Sequence, residues 1–288
     1  MTDLREAFLE LIRRTSCDLP EDVEAALQRA AAAEQGRARS TLEWMLRNAA
    51  EARRNSTPIC QDTGSLLFFI RHGPERRPAD IAAATRAAVA EATRRYWLRP
   101  NAVDPLSGRN SGDNLGRGSP YLHFEQVEQP GLLEVALMLK GGGSENCGAQ
   151  YALPDASLQA GRDLSGIKRC LVDAVVKAQG FGCAPGTLGV GIGGDRMTSF
   201  EESKLQLLRR LDDSNPDDEL AALEREMYEK LNGLEIGPMG FGGRTTLLGV
   251  KIGTRHRLPA CFFVSVTYMC WAYRRRRLVV RDDDYSID

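Results

Sequence analysis

The hexapeptide ICQDTG (residues 59–64) separates a helical N-terminal third of the chain from a remainder that is rich in glycine. Pro58 disfavours the helical conformation at the residue before it, so the preceding helix has ended by that point. The unbroken apolar run of residues 66–70 then predicts a short buried strand. Cys60 and Asp62 are therefore expected on a loop that enters a core strand, where a rigid scaffold can hold a reactive side chain in place.

A thiol close to a carboxylate is compatible with two kinds of site. Cys60 and Asp62 could bind a metal or carry out acid–base chemistry. Alternatively, Cys60 is a buried thiol without a reaction to perform, since cysteine is among the most buried residue types, and Asp62 only caps a turn. The two residues alone leave both interpretations open.

The composition is that of a soluble globular protein without a general affinity for polyanions. Hydrophobic residues make up 42% and charged residues 27% of the 288 residues, and the formal net charge is −1 at pH 7. This balance predicts no general attraction to nucleic acid or to an anionic membrane. The chain starts with an amphipathic helical pattern, and no segment is long and apolar enough to span a bilayer, so we expect a cytoplasmic protein.

Seven cysteines are scattered along the chain, at positions 17, 60, 147, 170, 183, 261 and 270. Such usage, without a C-x-x-C pair, is typical of buried, reactive or metal-bound thiols in a cytosolic enzyme, and it gives no support to a structural zinc site. Cys60, Cys183 and Cys270 each border a loop or the end of an apolar segment. Three such thiolates could hold an iron–sulfur cubane with one open iron, but their spacing does not show that they meet.

The hydrophobic periodicity predicts both helices and strands, without internal repeats or a low-complexity linker. We expect an α/β (α+β) fold that is rich in helix and has a mixed β-sheet core. A single large domain would span residues 1–288, with residues 1–57 as a helical segment packed on it. Helices are predicted at 4–14, 20–34, 40–54, 80–97, 163–179, 199–211 and 216–231, and strands at 66–70, 132–139, 188–192, 246–252 and within the apolar run 260–269.

Two loop segments are candidates for ligand contact. Residues 98–120 hold three prolines and four glycines. A polar segment of this length is usually functional or disordered, and its Asn and Asp residues favour defined turns, so we interpret it as functional. Residues 140–146, KGGGSEN, end a predicted strand with backbone that a ligand can approach closely, but they lack the G-K-[ST] ending of a phosphate-binding loop.

Residues 189–194, GVGIGG, match the letter pattern of a dinucleotide-binding loop. In that fold the glycines follow a strand and open a helix, and an acidic residue stands at a later strand end. Here the glycines fall inside a predicted strand, and Asp212 and Asp213 end a predicted helix. Glycines with a structural purpose are therefore favoured over a nucleotide site.

Two basic features have plain structural interpretations. His256 stands between two arginines and, taken alone, is expected to be a surface or hydrogen-bonded residue, with catalysis as the alternative. The arginine run 274–277 is interpreted as a solvated face or a subunit contact.

Seven segments together resemble the α subunit, or N-terminal domain, of the iron–sulfur hydro-lyases, namely the class I fumarases and the related L-tartrate dehydratases. They occur in order over most of the chain: PICQDTG (58–64), LRPNAV (98–103), NSGDN (110–114), KGGGSEN (140–146), GCAPGTLGVGIGG (182–194), LNGLEIGPMGFGGRTTLLGVKI (231–252) and YMCWAYRR (268–275).

The resemblance implies a site in which Cys60, Cys183 and Cys270 ligate a [4Fe-4S] cluster whose fourth iron binds the substrate. It also implies that Asp62 is an acid–base group and His256 a further active-site residue. The implied substrate contacts are Gln61, Arg99, Gly142 and Gly143. Two features depart from the family pattern or lack a role in it: Ala184, where the family usually has Cys-Pro-Pro, and Cys147 after the glycine loop.

The activity that the resemblance implies is the reversible hydration of fumarate to (S)-malate, with L(+)-tartrate dehydration as the alternative. The small dicarboxylate would bind where a β subunit completes the active site, in an α2β2 assembly, with no role for nucleic acid or membrane. The rival hypotheses from other classes are a nucleotide-binding oxidoreductase and a non-catalytic assembly subunit.

Overall fold

A computed structural model describes residues 3–281 and 284–288 of the chain. The helices are α1 (Leu4–Cys17), α2 (Glu21–Ala33), α3 (Gly36–Asn55), α4 (Pro78–Arg94), α5 (Gly142–Glu145), α6 (Leu164–Ala178), α7 (Arg196–Gln206) and α8 (Asp218–Asn232). The strands are β1 (Ser65–His72), β2 (Tyr121–Gln126), β3 (Leu133–Lys140), β4 (Ala149–Ala152), β5 (Gly186–Gly193), β6 (Leu247–Arg255), β7 (Phe263–Met269), β8 (Arg274–Arg281) and β9 (Asp284–Ile287).

The chain divides into two compact units. The first combines the N-terminal residues up to Pro20 with Arg47–Gly142 and the segment from Arg274 onward. The second combines Glu21–Leu46 with Gly143–Tyr273. Each unit has its own sheet and its own hydrophobic core. The expectation of a single domain over residues 1–288 therefore stays a prediction, and the N-terminal segment 1–57 is shared between the units.

The first unit is built on a five-stranded sheet with the order β2-β1-β3-β8-β9. Strand β1 runs parallel to β2 and antiparallel to β3, so the sheet is mixed. Helices α1 and α4 supply apolar side chains to the core under this sheet. Phe8 from α1 meets Phe68 from β1 edge to face, and Val89 from α4 lies in the same cluster. Burial of these apolar faces is the main force that holds the unit together.

The second unit is built on a four-stranded sheet with the order β4-β7-β5-β6. Strand β5 is parallel to β6 and antiparallel to β7. All of its residues are buried, which requires cover on both faces of the strand. Helix α7 begins with a capping box in which the Asp195 carboxylate accepts a hydrogen bond from Thr198 N and Asp195 N donates one to Thr198 Oγ1. The two mixed sheets with their helices confirm the α/β (α+β) fold class.

The predicted helices and core strands are present, with shifted ends. Helix α3 begins at Gly36, four residues before the predicted start at residue 40, and Glu43 is paired with Arg39 one turn before it. Strands β2, β4, β8 and β9 lie outside the predicted set. None of the described helices has the length and apolar character that crossing a membrane requires.

Candidate active site

The carboxylate of Asp62 is held between two backbone amides of the first unit. Its Oδ1 accepts a hydrogen bond from Gly64 N at 3.0 Å, and its Oδ2 accepts one from Gly142 N at 2.7 Å. The second bond joins residues that are far apart in the sequence, the hexapeptide 59–64 and the glycine loop after β3. The two contacts fix the direction of the carboxylate, which is what a positioned proton carrier requires.

The lack of a side chain matters at two positions beside this carboxylate. Gly64 has a φ of +77°, and a Cβ there would stand 2.5 Å from the carbonyl carbon and oxygen of Lys140. The loop therefore passes directly against the end of β3. A Cβ on Gly141 would stand 3.1 Å from Asp62 Oδ2, which is closer than most real Cβ contacts. Both glycines thus allow a backbone approach that a side chain would block.

A network of Thr, Asn and backbone groups ties Arg99 to the same loop. The hydroxyl of Thr63 accepts hydrogen bonds from Arg99 N at 3.1 Å and from Asn101 Nδ2 at 3.2 Å. Asn114, which is buried and has a φ of +64°, accepts from Asn101 N at 2.7 Å and donates to Arg99 O at 2.9 Å. The main chain at Arg99 is therefore fixed while its side chain remains exposed.

Segment 98–120 is folded into defined turns. Short antiparallel bridges join Val103 to Asn110 and Gly116 to Ser119. The segment lines an open pocket of about 460 Å³, whose lining includes Asp104, Arg109, Asn110 and Arg117. Its ordered turns agree with the interpretation as a functional loop, which itself stays a prediction.

The interpretation of the arginine run 274–277 as a solvated face is wrong for its first two members. Arg274 and Arg275 are 1% and 7% exposed, and in the sheet they pair with Leu139 and Met138 of strand β3. Arg274 Nη2 donates to the carbonyl oxygen of Asp62 at 2.8 Å. The sequence alone predicts no site role for Arg274, Thr63, Asn101 or Asn114. All four lie in segments that carry the family resemblance, which is the signal that could have identified them.

In the second unit, the segments of Cys183 and Cys270 are joined by a backbone hydrogen bond. Trp271 N donates to Cys183 O at 3.1 Å. Cys183 has a φ of +57° at the end of a turn in which its N–H donates to Gly180 O at 3.1 Å. Both cysteines are half-buried, and neither forms a disulfide. The second unit thus presents two sheltered thiols on adjoining loops.

Apart from Cys60, the other residues predicted for the site are exposed at the surface. Gln61, Gly142 and Gly143 are exposed, and His256 is exposed just after the end of β6. A Cβ on Gly143 would meet only the carbonyl oxygen of Phe181, at 4.0 Å. The structure thus brings together Asp62 and Gly142 within the first unit, and the Cys183 and Cys270 segments within the second.

The comparisons with known proteins agree on one family. The sequence profile described as fumarate hydratase (fumerase) matches residues 5–279. The chain belongs to the fumarate hydratase family. This confirms the family that the seven sequence segments predict.

Individual members of the fumarate hydratase family are similar over nearly the whole chain. A Geobacillus stearothermophilus protein, provisionally named fumarate hydratase class I, is 49% identical over 280 residues, which are 96% of this chain and 54% of that protein. A Methanocaldococcus jannaschii protein, provisionally named L(+)-tartrate dehydratase subunit alpha, is 34% identical, over 94% of this chain and 95% of that one. The L(+)-tartrate dehydratase subunit alpha of Escherichia coli O157:H7 is 31% identical, over 98% of this chain and 91% of that protein. The chain thus spans about half of the first relative and nearly all of the other two.

The class I members of the fumarate hydratase family imply an iron–sulfur cluster, and the thiols of the second unit fit one. The hydroxyl of Tyr268 is buried, and within the described residues it has no hydrogen-bond partner. Burial, and secondarily the negative charge of the Cys147, Cys270 and Cys183 thiolates, raise the pKa of Tyr268 above its ordinary value. An unused O–H donor among thiols suits a cluster, whose sulfur atoms accept hydrogen bonds.

The three cysteines predicted to ligate the cluster are not grouped as the ligands of a single metal ion would be. Cys60 is a half-buried thiol of the first unit, and Cys183 and Cys270 belong to the second. Among the residues that the structure describes, no group of three or more His, Cys, Asp or Glu is placed to hold a metal ion. Because each cysteine of a cubane binds a different iron, such cysteines lie farther apart than the ligands of one ion. The assignment of these three cysteines as ligands stays a prediction.

Proposed function

We propose that this chain is the α-type component of an iron–sulfur hydro-lyase that adds water reversibly to fumarate and gives (S)-malate. One observation carries the proposal: Asp62 is fixed by Gly64 N and Gly142 N, inside two segments that resemble the class I fumarases. The 49% identity to a relative provisionally named fumarate hydratase class I supports the choice of reaction.

Hydration of fumarate requires an activated water, a proton donor at the neighbouring carbon and stabilisation of the charge that builds up on a carboxylate. A [4Fe-4S] cluster held by Cys60, Cys183 and Cys270 would supply a Lewis acid with one open position. In this proposal Asp62 Oδ2, oriented by Gly142 N–H, transfers the proton of the hydroxyl group.

The substrate carboxylates would be bound by exposed groups next to Asp62. Arg99 has a fixed main chain and an exposed guanidinium, which can bind a carboxylate through two parallel hydrogen bonds. Gln61, Gly142 and Gly143 are exposed as substrate contacts must be, and His256 is proposed as a further active-site residue. The substrate class is thus a small dicarboxylate.

A second polypeptide completes the site in this proposal. The Geobacillus stearothermophilus relative is about twice as long as the match, and the other two relatives are named as subunit alpha. We infer a β-type partner that supplies further cationic groups, in an α2β2 assembly. The cytoplasmic location expected from the sequence belongs to the same proposal.

L(+)-tartrate dehydration is the second candidate, and a specific observation favours it. The relatives that this chain covers at 95% and 91% of their length carry the tartrate dehydratase name, although their identity is lower. The two reactions give different products: hydration of fumarate yields malate, and dehydration of tartrate yields oxaloacetate.

The deciding experiment measures iron and acid-labile sulfide in the complex isolated without oxygen through a tag on this chain. We expect about four of each per chain, lost in Cys60→Ser, Cys183→Ser and Cys270→Ser. The control Cys170→Ser replaces a buried thiol of helix α6 and should keep the cluster.

Assays of the same complex with fumarate and with L(+)-tartrate then separate the two reactions. Absence of iron in the wild-type complex would exclude the hydro-lyase mechanism and leave the nucleotide-binding and assembly hypotheses. Full fumarase activity of this chain alone, with its cluster intact, would contradict the need for a β partner.

A further inference from the structure

Arg274, at the start of β8, is a buried cation with an incomplete set of partners. The residue is 1% exposed and is among the largest fully buried side chains of the described chain. Nη2 donates to the carbonyl oxygen of Asp62 at 2.8 Å. Within the described residues, Nε and Nη1 are buried and make no hydrogen bond.

A guanidinium in this situation is costly. It stays charged at every physiological pH, and burial of a charge is unfavourable unless an opposite charge and hydrogen bonds compensate for it. A neutral or apolar side chain would fill the same space at lower cost. The positive charge is therefore the feature of Arg274 that needs an explanation, and packing alone does not provide one.

Arg276, on the same strand, is an arginine with a structural purpose and provides a comparison for Arg274. It follows Arg274 by two residues and so lies on the same face of β8. Arg276 Nη2 donates to Asp18 Oδ2 at 3.0 Å and to Leu19 O at 2.9 Å, and its Nη1 donates to Asp288 O at 2.6 Å. Although its Nε also lacks a partner, its charge is paired with a carboxylate.

The Arg274 guanidinium and the Asp62 carboxylate both face Gly141. The position that a Cβ on Gly141 would occupy is 3.8 Å from Arg274 Nη2 and 3.1 Å from Asp62 Oδ2. Asp62 is thus held by two hydrogen bonds: Arg274 donates to its main-chain carbonyl oxygen, and the amide of Gly142 donates to its carboxylate.

We propose that Arg274 is a positioning residue for Asp62. It anchors the main chain of the hexapeptide 59–64 and places a buried positive charge at Gly141, which the carboxylate that reacts also faces. This inference rests on the proposed function where it concerns turnover, but the anchoring of the loop can be measured without turnover. Arg274 makes no contact with the substrate in this proposal, so it should affect the turnover number more than KM.

The kinetic test uses Arg274→Gln, Arg274→Lys and the matched control Arg276→Gln in the anoxic complex. We expect Arg274→Gln to lower kcat about 100-fold with KM for fumarate changed less than about threefold. Arg274→Lys keeps the charge and loses the planar fork, so it should recover about a tenth of the wild-type kcat. Arg276→Gln should lower Tm and keep kcat within about twofold.

The structural test is amide hydrogen exchange on the chain itself. Gly64 and Gly142 donate their N–H groups to Asp62, so a loosened loop should expose both. We expect their exchange to become about tenfold faster in Arg274→Gln and to stay unchanged in Arg276→Gln.

Several outcomes would overturn the inference. Parallel losses of kcat and Tm in Arg274→Gln and Arg276→Gln would mean that both arginines are structural. A rise in KM at unchanged kcat would make Arg274 a substrate-binding residue, and loss of iron and sulfide in Arg274→Gln alone would make it a cluster residue. If the wild-type complex neither hydrates fumarate nor dehydrates L(+)-tartrate, the proposed function fails, and the amide exchange of Gly64 and Gly142 still decides the positioning role.

Discussion

The two glycine-rich segments, KGGGSEN at 140–146 and GVGIGG at 189–194, look alike in the sequence and serve different purposes. In the second, a Cβ on Gly189 would stand 2.0 Å from the carbonyl oxygen of Ser203, and one on Gly191 would stand 2.1 Å from that of Ser199. Both oxygens belong to helix α7, which therefore packs directly on strand β5. In the first segment, Gly141 faces the Asp62 carboxylate and Gly142 donates its amide to it.

The difference shows that the atom facing a glycine decides its purpose. Where that atom belongs to the backbone of another element, the glycine permits close packing and its loss should cost stability. Where that atom belongs to a side chain that is proposed to react, as Asp62 is, the glycine should shape the site and its loss should cost activity. The same observation disfavours the nucleotide-binding interpretation of GVGIGG, because Gly189 and Gly191 lie inside β5 and are covered by helix α7.

Gly191→Ala should have the largest effect on stability. Its Cβ would meet the main chain of α7 at 2.1 Å, and neither the strand nor the helix can move away cheaply. We expect a loss of about 3 kcal/mol or more in the free energy of unfolding, measured by urea denaturation, or no soluble protein.

Gly116→Ala is the matched control, since no atom lies within 4 Å of its Cβ position and its φ is not positive. It should change the free energy of unfolding by less than about 0.5 kcal/mol. A Gly191→Ala protein as stable as this control would disprove the packing role of GVGIGG.

Gly141→Ala should have an intermediate effect, and on activity instead of stability. Its Cβ would press on Asp62 Oδ2 at 3.1 Å, so the carboxylate must shift by a few tenths of an ångström. We expect a roughly 10- to 100-fold loss of kcat, because catalysis is sensitive to small displacements of the reacting group. The free energy of unfolding should fall by less than about 1 kcal/mol.

Gly142→Ala provides the comparison, because its Cβ would stand 3.7 Å from the same oxygen, an ordinary contact. Its loss of kcat should be smaller than that of Gly141→Ala. Equal losses in the two variants, or a collapse of stability in Gly141→Ala, would remove the distinction between the two glycine segments.

The predictable part of the fold is the part that local patterns specify. The apolar run 66–70 predicts β1, and the run at 188–192 predicts β5, since both are buried strands with continuous apolar sequence. Strand β8 begins with four arginines and resembles a charged surface instead. Its burial depends on contacts with residues that are distant in the sequence, such as the carbonyl oxygen of Asp62, 212 positions away from Arg274.

The candidate site also has a part that could be predicted from the sequence and a part that could not. Asp62 and Gly142 could be selected from segments that resemble a family, but the 2.7 Å bond that joins them spans 80 positions and follows no local rule. Asn114 lies in the recognised segment NSGDN, and only the folded chain shows that it holds the main chain at Arg99. Sequence patterns thus identify candidate residues, and long-range hydrogen bonds give them their geometry.

The smallest expected difference between the two glycine segments is in the reactivity of the cysteine thiols near them. Cys170 lies in the same core cluster as Leu188 and Val190 of β5, and burial raises the pKa of the Cys170 thiol to about 12. Cys147 follows the glycine loop and is half-buried, with its Sγ donating to Gly143 O at 3.5 Å. Iodoacetamide at pH 8 should therefore modify Cys147 in the native chain and leave Cys170 unmodified until denaturant is added.

A raised pKa slows modification by iodoacetamide, because the thiolate is the reactive form of cysteine. A thiol whose pKa is raised to about 12 holds only roughly 10⁻⁴ of its population as thiolate at pH 8, and it gains reactivity only as the pH approaches that value. Cys17, whose pKa burial raises to about 11, should be protected in the same way and serves as the control from the first unit. Peptide mass spectrometry measures all three sites at once. Modification of Cys170 as fast as Cys147 in the native chain would mean that the core around GVGIGG opens readily, and the packing role assigned to its glycines would then lose its basis.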